Sequence, residues 1–392
     1  MADIKVGVFG LLDMLKFKKM ADVREKYIQR AKSDDVLADY PINRMAENLH
    51  PLTQKMIVQN VVEHKTAGAV TYVLKKFDGT PAAWFRAGQY VCVKVKTGKN
   101  YVSRPYSISS SPKETKSGIV KLTIKKVSDG FVSNWIYENW KVGSEVEISG
   151  PDGTFYYERL RDHKNVIAVA GGSGITPFLS MARSIADGLE DFNLTVIFGS
   201  RTKDAILFDG EFAQICSQTN KVKIIHVLSD EKTEGYEYGF ITAELIKKAA
   251  EKFTDGYSLF ACGPSAMYSF LKTEIEKLGL SKKDIRFEIQ SAAKMEGGKD
   301  CNLTVITPLE EKKITVHAGE TLLSAIERNG LKCPSRCRGG ECGWCRSRLV
   351  SGEVFVPESS EYRRFGDITR NFIHPCVSFA TSDLVLEVPC DK

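Results

Sequence analysis

Cys337, Cys342 and Cys345 are separated by four and two residues, and Cys376 follows after a longer interval. Thiolates are soft ligands, and this crowding of sulfur points to metal chemistry rather than packing. Gly339, Gly340 and Gly343 lie between them and let the loop curl with its amides toward the sulfurs. The spacing is that of a [2Fe–2S] loop. A zinc knuckle of Cys333, Cys337, Cys342 and Cys345 competes, but it leaves Cys376 and the glycine intervals unexplained. A dithiol role for Cys342-Gly343-Trp344-Cys345 is weaker, since that motif belongs at the start of a helix after a strand.

A second chemistry is written around residue 170. The apolar run Val166–Ala170 leads into Gly171-Gly172-Ser173-Gly174-Ile175-Thr176-Pro177 and then a helix. Glycines at a strand-to-helix turn admit a pyrophosphate to the backbone amides, and the helix N-terminus adds partial positive charge. Pro177 suits the first helical turn. Cys262-Gly263-Pro264 ends a later run, Leu259–Ala261. Ligands of parallel sheets gather at such strand ends. By itself the glycine turn is only a tight connection, and Cys262 only a small buried hydrophobe.

These motifs need elements to carry them. Residues 1–52 read as a helical N-terminal extension, with Phe9, Leu12, Leu15, Val23 and Tyr27 at roughly helical spacing, and a second short helix over 43–49. Residues 53–160 alternate apolar with polar in short segments (55–62, 70–75, 90–95, 120–127) between glycine turns, which predicts an antiparallel β-barrel. Residues 161–290 alternate continuous apolar strands (166–170, 194–198, 223–227, 259–261) with helices, which predicts an α/β domain with a parallel sheet. A polar linker, 291–299, precedes a small α+β domain, 300–392. Its helix Thr321–Asn329 stops at Gly330.

The chain is 392 residues long, which implies several domains; 43% of it is hydrophobic and 27% charged. The net charge of +6 is spread along the chain, so nucleic acid is not expected as a partner. No apolar run reaches membrane-spanning length, and no secretory signal is read at the start. Five of the ten cysteines fall between Cys333 and Cys376. That crowding suits a reducing compartment, so a cytoplasmic location is expected.

The C-terminal segment, with Thr321-Leu322-Leu323-Ser324-Ala325 and Cys337-Arg338-Gly339-Gly340-Glu341-Cys342-Gly343-Trp344-Cys345, resembles the ferredoxin β-grasp family. The resemblance implies Cys337, Cys342, Cys345 and Cys376 as ligands of a [2Fe–2S] cluster and leaves Cys333 outside it.

Arg104-Pro105-Tyr106-Ser107-Ile108 follows a strand of the barrel region, and Gly130-Phe131-Val132-Ser133 comes later. With the glycine turn and Cys262-Gly263-Pro264, this order resembles the ferredoxin–NADP reductase family. The resemblance implies that Arg104 meets a flavin phosphate, Tyr106 stacks on the isoalloxazine and Ser107 lies near its N5. It further implies that Gly130, Val132 and Ser133 hold the flavin pyrophosphate. Gly171, Gly172, Gly174, Thr176 and Pro177 would hold the nucleotide's pyrophosphate, and Cys262 would lie beside the nicotinamide. Arg286-Phe287-Glu288 resembles the family's closing segment, which puts Glu288 near the flavin edge. FAD is the expected flavin, with FMN open. Ser200-Arg201 stands where a 2′-phosphate would reach, yet arginine there also serves NADH users, so NADH and NADPH both stay open.

Hydride donors give two electrons and a [2Fe–2S] cluster takes one, and a flavin between them can do both. The expectation is an NAD(P)H-dependent reductase that passes single electrons to a protein acceptor. Arg336, Arg338, Arg346 and Arg348 around the cluster loop would suit a partner with an acidic docking surface. The competing readings are a self-contained reductase of a small acceptor (quinone, ferric iron or oxygen) and a wiring subunit that never binds free nucleotide. The intact glycine turn and Cys262-Gly263-Pro264 oppose the last.

Overall fold

The computed structural model describes residues 41–97, 100–127, 130–288, 295 and 297–389, together with residues 10, 15, 20 and 22–26. Residues 1–49 and 50–392 form two separate units. In the first, α1 spans Pro41–Leu49. Ile42, Met45 and Leu49 share one of its faces and are exposed. Most of the helix expected before residue 40, and most of the linker 291–299, lie outside the described residues.

The larger unit begins with six antiparallel strands: β1 (Thr53–His64), β2 (Ala69–Lys76), β3 (Tyr90–Thr97), β4 (Asn100–Ser107), β5 (Ile119–Lys125) and β6 (Glu145–Ser149). Their order is β4-β3-β6-β1-β2-β5, and a bridge from Ile108 to Leu122 closes the ends into a barrel. Alternation along β1 sends Gln54, Met56 and Val58 inward. A core that includes Tyr72, Leu74, Phe85, Val93 and Ile148 fills the interior. The Arg104–Ser107 motif does not follow a strand, as expected, but forms the end of β4. Proline is tolerated there because β4 pairs along only one side, with β3. Nor is Gly130–Ser133 a simple turn: Gly130 caps the helix α2 (Phe131–Asn139), whose Val132 and Ile136 enter the barrel core.

Next comes a parallel sheet of order β10-β9-β8-β7-β11-β12. Its strands are β7 (Asn165–Gly171), β8 (Asn193–Ser200), β9 (Val222–Leu228), β10 (Glu237–Tyr238), β11 (Ser258–Cys262) and β12 (Ile285–Phe287). The interleaved helices are α3 (Thr176–Ala186), α4 (Asp209–Gln218), α5 (Ala243–Ala250) and α6 (Ser265–Glu276). Two separate apolar clusters cover its two faces, which is why β7 and β11 are apolar without alternation. Polar bonds tie this sheet to the barrel: Ser180 Oγ donates to Ser110 O at 2.7 Å, and Arg183 Nη1 to Ser109 O at 2.6 Å.

The last domain is a sheet of order β14-β13-β19-β15-β17, formed by β13 (Cys301–Ile306), β14 (Glu311–Val316), β15 (Ser347–Ser351), β17 (Phe372–Ile373) and β19 (Leu384–Glu387). A small ribbon pairs β16 (Val354–Phe355) with β18 (Phe379–Ala380). Helix α7 (Leu322–Arg328) buries Leu322, Leu323 and Ile326 against the sheet, and the Thr321 hydroxyl accepts from Ser324 N at its start. A one-turn helix, α8 (Phe365–Ile368), precedes β17.

Candidate active site

Ser107 closes β4, Cys262 closes β11, and Glu288 follows β12. The Ser107 hydroxyl donates to Glu288 at 3.2 Å (Oε1) and 3.1 Å (Oε2), and the Cys262 thiol donates to Glu288 Oε2 at 3.0 Å. All three side chains are buried. Burial, then the Glu288 carboxylate, push the Cys262 thiol well above its ordinary pKa, so it stays a neutral hydrogen-bond donor. The sequence missed Tyr268, whose hydroxyl donates to Glu288 O at 2.5 Å while accepting from Gly263 N at 3.1 Å. It fixes the Glu288 backbone to the Cys262-Gly263-Pro264 turn. No signal marked it, because on α6 it reads as one more aromatic of an amphipathic face.

The glycine turn packs directly on the same place. A Cβ on Gly174 would stand 2.1 Å from Cys262 O, so only glycine fits between the two motifs. Thr176 Oγ1 donates to Ser173 O at 3.0 Å, and Pro177 sits in the first turn of α3. Lys125 of β5 reaches to within 3.5 Å of the Cβ position of Gly172, a cation beside the turn that sequence spacing does not reveal.

Tyr106 is half-buried and packs on the barrel core, and burial raises its phenol pKa. Arg104 is half-buried and makes no ion pair with a described carboxylate; its Nη1 donates to Ser103 O at 2.9 Å. A guanidinium held in this way is a fit for a phosphate. Gly130 caps α2 without a side-chain bond, so amides at the helix start stay available, while the Ser133 hydroxyl donates to Gly130 O at 3.2 Å. Ser200 and Arg201 stand apart at the end of β8, where the exposed Arg201 lies 3.7 Å from Asp230.

The four cysteines expected as ligands lie in one group, in which Cys376 meets both Cys345 and Cys337. Cys337 N donates to Cys342 Sγ at 3.5 Å and Cys342 N to Cys337 Sγ at 3.4 Å, while Cys345 Sγ lies 3.3 Å from Cys376 Sγ. Gly339 N also donates to Cys337 Sγ, at 3.4 Å. Among the described residues no three His, Cys, Asp or Glu side chains converge on one metal ion. Four grouped thiols with amides aimed at sulfur suit an iron–sulfur cluster. Gly340 must be glycine, since its φ is +87° and a Cβ would stand 2.8 Å from Ser360 O. Cys333 is buried in the domain core, where burial keeps its thiol neutral.

The arginines of this loop do not all face outward, contrary to expectation. Arg336 pairs with Asp152 at 3.1 Å, and Arg338, only 9% exposed, pairs with Glu327 and donates to Ser103 O at 2.6 Å. Both hold the loop to the barrel, through Asp152 and the Ser103 carbonyl. Arg346 pairs with Asp367 and Arg348 with Glu387. Glu341 adds a third tie by accepting from Thr154 Oγ1 at 2.5 Å. The result is a cavity of about 280 Å³ lined by residues of all three domains, among them Tyr90, Phe287, Glu288, Cys337 and Tyr362.

Three family models match in sequence order: an oxidoreductase FAD-binding domain over residues 60–157, an oxidoreductase NAD-binding domain over 168–273, and a 2Fe-2S iron-sulfur cluster binding domain over 306–381. The chain is 29% identical to an Escherichia coli NADH oxidoreductase over 77% of this chain and 88% of that one. It is 27% identical to the ferredoxin reductase component of a Mycolicibacterium smegmatis 3-ketosteroid-9-alpha-monooxygenase, over 86% and 96%. The solved structure of phthalate dioxygenase reductase aligns with a TM-score of 0.62 at 25% identity, over 86% of this chain and 98% of that one. Fold and site together define an NAD(P)H-dependent flavin and iron–sulfur oxidoreductase. The chain carries FAD-binding, NAD-binding and 2Fe-2S domains in the domain order of phthalate dioxygenase reductase.

Proposed function

We propose that this chain is the reductase component of an oxygenase or similar redox system, passing single electrons from NAD(P)H to a separate protein. The observation that carries this reading is the cavity shared by Glu288 and Cys337, which joins the buried Ser107–Glu288–Cys262 group to the cluster loop. A bound flavin supplies the conversion from a hydride to single electrons, and a bound [2Fe–2S] cluster carries those electrons onward.

The residues of the chain bind and position these groups. Arg104 meets the flavin phosphate, Tyr106 and Ser107 line the ring, and the amides of Val132 and Ser133 beyond Gly130 face the pyrophosphate. The Gly171–Gly174 turn with Thr176 and Pro177 holds the nucleotide's pyrophosphate at the start of α3. Cys262 and Gly263-Pro264 border the nicotinamide, and Ser200-Arg201 borders the adenosine ribose. Glu288 orients the Cys262 thiol and the Ser107 hydroxyl toward one point. Cys337, Cys342, Cys345 and Cys376 hold the cluster. Asp230 beside Arg201 offsets the positive charge that a 2′-phosphate would need, which favours NADH over NADPH.

Relatives named as reductase subunits of monooxygenases support an oxygenase partner, for example the glycine betaine monooxygenase reductase subunit of Chromohalobacter salexigens, 28% identical over 78% of this chain and 87% of that one. Among the described residues no helix is long and apolar enough to cross a membrane. All nine described cysteines are free, which suits a reducing cytoplasm.

The test separates the two halves of the chemistry. Cys342→Ala should abolish the EPR signal of the reduced cluster and electron delivery to a protein acceptor, while NADH still bleaches the flavin. Cys333→Ser should retain the signal. If Cys342→Ala also stops flavin bleaching, or if Cys333→Ser loses the cluster, the assignment fails.

A further inference from the structure

The carbonyl oxygen of Ser103 accepts two guanidinium hydrogen bonds, from Arg104 Nη1 at 2.9 Å and from Arg338 Nε at 2.6 Å. Arg104 belongs to the barrel and Arg338 to the cluster loop, so one acceptor holds cations from two domains side by side. Glu327 pairs with Arg338, and Arg104 has no ion pair with any described carboxylate. One carboxylate therefore serves two guanidiniums and leaves a positive charge in excess. Burial, then the neighbouring Arg338, lower the Arg104 pKa to about 10, with Glu327 opposing.

The backbone at Arg338 is constrained as well. Arg338 holds a left-handed backbone with φ of 56°, a conformation that a non-glycine residue keeps only where its surroundings require it. Planar guanidinium forks match phosphate oxygens in parallel pairs.

We propose that Arg104 and Arg338 form a single anion site spanning the barrel and the ferredoxin domain, filled by the phosphate group of the bound flavin. The proposal rests on the flavin reading of Arg104 given above. It makes the cluster loop part of the flavin site, so flavin binding and docking of the ferredoxin domain strengthen each other by the same factor.

Titrating deflavinated, cluster-loaded full-length protein with FMN, FAD and riboflavin, which lacks phosphate, tests the proposal. Arg338→Gln should weaken FMN and FAD about tenfold or more, the loss of a charge-assisted bond, and riboflavin by less than about twofold. Arg104→Gln should show the same selectivity. Glu327→Gln, which removes the competing carboxylate, should instead tighten FMN and FAD relative to riboflavin. If Arg104→Gln is selective and Arg338→Gln weakens all three flavins equally, the site belongs to the barrel alone and the proposal is overturned. If neither is selective, the flavin reading of Arg104 falls with it. Should Arg338→Gln fail to fold, an unchanged FMN-to-riboflavin ratio in Glu327→Gln overturns the proposal.

Discussion

The Cys262 thiol donates to Glu288 Oε2 at 3.0 Å, and the same carboxylate receives the Ser107 hydroxyl from the barrel. A carboxylate buried between two small donors can hold them in one orientation and can take or release a proton where charge changes. The Cys262 thiol is kept neutral by its burial and by the neighbouring carboxylate.

Replacing that charge therefore gives a direct reading. Glu288→Gln keeps the shape and an acceptor oxygen but loses the charge. Stopped-flow bleaching of the flavin by NADH should slow roughly 10²-fold, the usual scale for a positioned acid–base group. The cluster EPR signal should be unchanged. A wild-type bleaching rate would remove Glu288 from the site.

Gly174 tests the contact between the two nucleotide motifs. Gly174→Ala places a methyl group 2.1 Å from the Cys262 carbonyl oxygen, and that backbone cannot yield without moving Cys262. Overpacking of this kind costs about 1–3 kcal/mol. The KM for NADH should rise severalfold together with a lower Tm in calorimetry. An alanine variant with unaltered KM and Tm would show that the turn does not bear on Cys262.

Arg286 and Asp162 form a two-bond pair at 2.8 and 2.7 Å, 7% and 0% exposed at the side chain. Arg286 also donates to Thr154 O and Tyr156 O, and so fastens β12, two residues before Glu288, to the segment that meets Glu341. Arg286→Ala leaves a buried carboxylate unpaired, at a cost of about 3–5 kcal/mol. Apparent Tm should drop sharply, and Asp162→Asn combined with Arg286→Met should recover most of the loss. Equal destabilisation by the single and the double variant would contradict this account.

What the sequence determined was local. The apolar runs of β7 and β11, the alternation of β1, the Thr321 cap and the cysteine spacing each follow from neighbours along the chain, because strand period, capping and loop curvature are set within a few residues. The tertiary structure decided what meets what. Tyr268 and Lys125 have no motif, and the motif that holds Arg286 says nothing of Asp162, since these roles exist only once strands far apart in sequence lie side by side. Arg336 and Arg338 read as part of a docking surface, yet they turn inward because Asp152, Glu327 and the Ser103 carbonyl stand opposite them. Burial and partner geometry depend on the whole fold, and a list of residue types does not contain them.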